Sequence, residues 1–220
     1  MLQTVYNFAI GPLAWVAWTV FIVGSLWRVS SIIRLAKKKE MNAVAYMDTR
    51  YALRSIGKWM TPFGTLGWQQ NPGLTVATFL FHISFLSLAI FAPAHVVLWD
   101  YSFGISLWKL PESVVDPLTV LALACCVFFI ARRLANACTR YVSGSQDWLI
   151  LGLLLLLFLS AFLAKMHIGD ALVMSLVHVL SGLAVLIAIP FTRLSHALLA
   201  PLTRAYMGSE FGGVRNCPDW

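Results

Sequence analysis

Five histidines occur in this sequence, and four of them fall in only two stretches: His82 and His95 in one, His178 and His196 in another. Both stretches are strongly apolar, and an imidazole in hydrocarbon is costly unless something satisfies it. Two chemistries meet that need: a hydrogen bond to a neighbouring helix, or a bond from a neutral ring nitrogen to a metal. Read as one helix, the 18-residue step from His178 to His196 is five whole turns, about 27 Å, with both rings on one face. The 13-residue step from His82 to His95 rises about 20 Å but rotates by about 220°, so those rings face apart unless Pro93 bends the chain. With the two helices antiparallel, His82 meets His196 at one depth and His95 meets His178 at another. Opposed imidazoles at two levels are what bis-histidine ligation of two heme irons requires.

Other residues join this set with a plainer role open beside each. Arg193 precedes His196 by three residues and either pairs with heme propionates or snorkels at the membrane boundary. Gly182 lies one turn after His178, where a missing side chain admits a flat ring edge or serves close helix packing. Lys109, Lys165, His167 and Asp170 share the end opposite the basic loops; they either exchange hydrogen bonds or protons with a bound molecule or are solvated loop residues. Cys125, Cys126, Cys138 and Cys217 form no CxxC or CxxCH, which excludes an encoded iron–sulfur cluster and a covalent c-type heme.

The elements that must position these groups are membrane helices. The 220 residues are 60% hydrophobic and 11% charged, with mean hydropathy +0.79, against roughly 25% charged for a soluble domain. Apolar runs near the ~20 residues that cross a bilayer recur along the chain, giving an all-α bundle of five spans at about 6–27, 73–99, 114–135, 148–165 and 171–196. No internal repeat, linker or second soluble domain is visible, so residues 1–220 read as one membrane domain, and the first span as retained. Basic residues concentrate in the 28–72 loop, after 131 and in the C-terminal tail, placing these in the cytoplasm and the N-terminus outside. The net charge of +7 therefore speaks for orientation and not for nucleic acid. Residues 45–60 fit an interfacial amphipathic helix. No GxSxG or HExxH motif points to an intramembrane protease.

The heptapeptide Pro190-Phe191-Thr192-Arg193-Leu194-Ser195-His196, with His178 upstream, resembles the last helix of the gamma subunit of respiratory nitrate reductases. Leu80-Phe81-His82-Ile83 resembles that family's second helix. Phe91-Ala92-Pro93-Ala94-His95 is similar to the cytochrome b subunits of the high-molecular-weight and tetraheme cytochrome transmembrane complexes of sulfate-reducing bacteria. The resemblance, over residues 5 to 205, implies a di-heme b subunit of the cell inner membrane. By that resemblance His82 and His196 would hold the cytoplasmic-side heme, and His95 and His178 the exterior-side heme. It also implies electron transfer between menaquinol and an iron–sulfur subunit, an integral quinone-site subunit or a periplasmic multiheme cytochrome c. In the nitrate reductase branch the second histidine follows the first by ten residues, where this chain has Ala92; His95 takes that place, with His167 in reserve. Two other readings of the same histidines are a proton- or ion-coupled transporter and a heme-free structural anchor.

Overall fold

A computed structural model describes residues 1–39 and 45–217. The part of the basic loop that contains Glu40, and the last three residues of the tail, lie outside them. Every regular element among the described residues is helical. In chain order these are α1 (Leu2–Lys39), α2 (Thr49–Met60), α3 (Leu66–Gln70), α4 (Pro72–Phe91), α5 (Pro93–Phe103), α6 (Glu112–Ala135), α7 (Ala137–Tyr141), α8 (Ser145–Lys165), α9 (Ala171–Ala188) and α10 (His196–Met207). Helices α1, α4, α6, α8 and α9 are long and apolar enough to cross a membrane. Five spans were expected at these places.

Three boundaries differ from expectation, each for a local reason. Helix α1 continues through residues 28–39, expected as loop; that segment holds no proline or glycine, and Lys37, Lys38 and Lys39 at its end favour the negative pole of the helix dipole. Pro12 is absorbed by a π-helical turn over Ala9–Leu13, the usual relief for a proline ring that would strike the preceding carbonyl. The second span ends at Phe91 rather than near residue 99: Ala92 adopts extended backbone and Pro93 opens a separate helix, as expected for the residue before a proline. The fifth span does not reach His196. It ends at Ala188, Pro190 follows, and the Ala188 carbonyl accepts from the Thr192 hydroxyl at 2.7 Å and its N–H at 3.0 Å. A short 3₁₀ turn, Arg193–Ser195, then leads into α10.

The chain divides into two compact units, one of Met1–Ile10 with Val76–Gly182, the other of Gly11–Thr75 with Leu183–Trp220. In the first, α6 and α8 pack together and are pinned as an antiparallel pair at both ends. Lys165 at the end of α8 pairs with Asp116 at 2.7 Å and Glu112 at 3.5 Å near the start of α6. Arg133 at the end of α6 reaches the buried Asp147 at 3.7 Å near the start of α8, where Asp147 also accepts from the Gly144 N–H at 2.9 Å. Phe81 of α4 fills the interior, edge-on to Phe129 of α6 and Phe158 of α8, geometry that aromatic quadrupoles favour.

In the second unit α2 lies on α10 and on the π-helical segment Gly208–Val214. The approach is close enough to require glycine. A Cβ on Gly208 would stand 2.5 Å from the Tyr51 carbonyl oxygen and 2.6 Å from the Ser55 Cβ. Ser209 accepts from the Asp48 N–H at 3.0 Å and donates to the Ala205 carbonyl at 2.9 Å. Gly24 of α1 serves the same purpose, since a Cβ there would meet Pro190 and Phe191 at 2.9 Å.

Candidate functional site

The site begins with a proline. Pro93 has no N–H, so the Ala89 carbonyl, four residues back, loses the donor a continuous helix would give it. The imidazole of His95 supplies the substitute: its Nδ1 lies 2.9 Å from the Leu88 oxygen and 3.2 Å from that of Ala89. A carbonyl only accepts, so Nδ1 carries a proton, and in the neutral ring Nε2 is then the lone-pair atom. The chain break that ends α4 thus aims the His95 ring and fixes its tautomer.

His178 on α9 is held in the same manner by a different element. Its Nδ1 donates to the Leu157 carbonyl of α8 at 2.9 Å, again leaving Nε2 as the lone-pair atom. That carbonyl also accepts from the Ser160 hydroxyl at 3.1 Å. The two imidazoles come together within the first unit. Their ring centres are 5.9 Å apart and their planes within 10° of parallel.

His82 and His196 show the same tautomeric arrangement in separate units. His82 Nδ1 donates to the Thr78 carbonyl at 2.7 Å, one turn back along α4. His196 Nδ1 donates to the Arg193 carbonyl at 3.0 Å across the 3₁₀ turn. The structure therefore corrects the five-turn argument for His178 and His196: they belong to α9 and α10, and no single helix sets their phase. Arg193 enters this local geometry through its backbone oxygen.

The remaining candidates have defined places. His167 sits in the exposed turn after α8 with φ of 53°, and the ring beside His178 is that of His95. Asp170 caps α9, its carboxylate accepting from the N–H groups of Leu172 and Val173 at 2.8 and 3.0 Å. Lys165 is engaged by Asp116 and Glu112, and Lys109 is exposed. A Cβ on Gly182 would touch Leu157 Cδ1 at an ordinary 3.6 Å, so neighbouring protein does not demand glycine there. All nine residues of 171–179 are half-buried, none packed tightly and none fully exposed. The backbone carbonyls of Leu88, Ala89 and Leu157 escaped the sequence reading because a carbonyl has no residue signature; only the rule that proline orphans the oxygen four residues back could have found Ala89.

No protein-family model matches the chain, and no solved structure matches it. It is similar to a protein of Nitratidesulfovibrio vulgaris (strain Hildenborough), 38% identical over 222 residues that cover 97% of this chain and 98% of the relative. The chain belongs to that protein's family. The match extends through both units.

Proposed function

We propose that this chain is a di-heme b subunit of a redox complex in the cell inner membrane, passing electrons between menaquinol and partner iron–sulfur or multiheme cytochrome subunits. The observation that carries the reading is the parallel pair His95 and His178. With metal–imidazole bonds of about 2 Å, two rings on opposite sides of one ion have centres roughly 6 Å apart, and these stand at 5.9 Å. Both rings have donated Nδ1–H to a carbonyl, the arrangement that orients a ligating histidine and raises its basicity. Two imidazoles would suit a metal whose other bonds come from a macrocycle.

His95 and His178 would hold one heme; His82 and His196 are the ligands the resemblance assigns to a second, with Arg193 for its propionates. Bound there, heme b would supply one-electron redox chemistry, tuned by the imidazoles and the apolar residues around it. The chain's own residues orient four imidazoles, each through an Nδ1–H bond to a backbone carbonyl. Quinone chemistry at the end near Lys109, Lys165 and His167 belongs to the same proposal.

One observation favours a second reading. The bond from His178 to Leu157 joins α9 to α8, which a heme-free anchor would also use. A pyridine hemochrome assay on purified protein separates the two. The expected ratio is two hemes per chain, falling to about one in His95→Ala and in His178→Ala. Protein without b-type bands, or a His178→Ala variant with unchanged heme content and lowered melting temperature, would leave only the anchor.

A further inference from the structure

We infer that the outer face of α2 is a binding surface for the phosphate headgroups of anionic phospholipids. Arg50, Arg54 and Lys58 recur every four residues on α2 and so form one stripe along it. Leu53 and Met60, each 64% exposed, lie along the adjoining edge of the same outward arc. Ala52 and Ser55 on the opposite side are buried, where the helix meets α10 and Gly208. The docked side fixes the rotation of α2, so the outward arc presents cations and aliphatic groups side by side.

That combination suits a membrane boundary better than bulk water or a purely polar partner. A basic amphipathic helix next to spanning segments sinks its apolar edge to the acyl boundary while its cations remain among phosphates. Its place in the chain fits, since α2 lies between spans α1 and α4. The charge fits as well. The unit that contains α2 holds eleven Lys and Arg against four Asp and Glu, the whole of the chain's net +7, and α2 itself has no acidic residue. This inference stands apart from the redox reading, since it involves no histidine and no heme.

Native mass spectrometry of the purified chain in micelles holding equal amounts of phosphatidylglycerol and phosphatidylcholine tests it, with free glycerol phosphate as a competitor. The expected result is preferential retention of phosphatidylglycerol, not displaced by glycerol phosphate. It falls by about tenfold or more in the Arg50→Gln, Arg54→Gln, Lys58→Gln triple variant, and changes little in Lys37→Gln, Lys38→Gln, Lys39→Gln, which removes equal charge elsewhere. Far-UV circular dichroism checks that both variants keep their helices, and lipid retention by the single variants replaces the triple if it unfolds. Equal retention of the two lipids, equal loss in both triple variants, or displacement by glycerol phosphate would overturn the proposal. So would an unchanged lipid preference alongside loss of an acidic partner protein from the α2 variant.

Discussion

The two compact units are opposite in how they handle charge. The first holds five basic residues, Lys109, Arg132, Arg133, Arg140 and Lys165, and five acidic ones, Asp100, Glu112, Asp116, Asp147 and Asp170, so its formal charge is zero. Ion pairs join both ends of one helix pair in it, α6 and α8. The second carries the entire net +7, and its close packing relies on small residues, with Gly24 against Pro190 and Gly208 against Tyr51 and Ser55. The difference teaches that paired charges and aligned imidazoles share one scaffold, while unbalanced charge is kept on another that glycine contacts hold together.

The sharpest way to break that comparison is to crowd the second unit. Gly208→Val places a branched side chain where even a Cβ would overlap backbone, so α2 must shift or detach from α10. The expected cost is about 3 kcal/mol, at the upper end for overpacking, read as a drop in melting temperature and as faster hydrogen exchange in residues 49–60. Exchange at Leu157 and around His178 should stay unchanged. Equal loss of protection in α8 would show that the units do not respond separately.

A smaller effect is expected in the first unit. Asp147→Ala removes the carboxylate that caps the start of α8 and faces Arg133; its own side chain is 3% exposed and that of Arg133 is 25% exposed. Because Arg133 retains some access to water and to the Ser143 hydroxyl, the cost should be about 2 kcal/mol, below the ~3–5 of a fully buried broken pair. A double-mutant cycle with Arg133→Met measures the shared part. An additive cycle would mean that Asp147 acts through the cap alone.

Which of these features could be read in the sequence follows from their physics. Five apolar runs and their approximate places were legible because the bilayer imposes a length and a composition. Both misjudged ends of the histidine helices sit at prolines, Pro93 and Pro190, where tertiary contacts decide between a bend and a break. At Pro93 the orphaned Ala89 carbonyl finds an imidazole; at Pro190 the Ala188 carbonyl finds a threonine hydroxyl, and the helix ends. The step from His178 to His196 looked like five turns only when the chain was read as one helix through Pro190. The approach of His95 to His178 escaped that error because each ring is aimed by a backbone carbonyl close to it in space, whatever the phase of a longer helix.

The smallest expected effect tests whether the outer end of the α6–α8 pair matters as much as its buried end. Lys165 and Asp116 are 36% and 39% exposed at the side chain, and Glu112 is more exposed still at 81%, so water already screens most of their attraction. Lys165→Met should cost less than about 1 kcal/mol and lose even that difference in ~0.5 M salt, whereas the penalty of Asp147→Ala should persist there because buried pairs are screened far less. Thermal melts of both variants at low and high salt make the comparison directly. If Lys165→Met proved the costlier change, and stayed so in salt, the outer ion pair would be the true fastener of the helix pair, and the ranking by burial would have to be reversed.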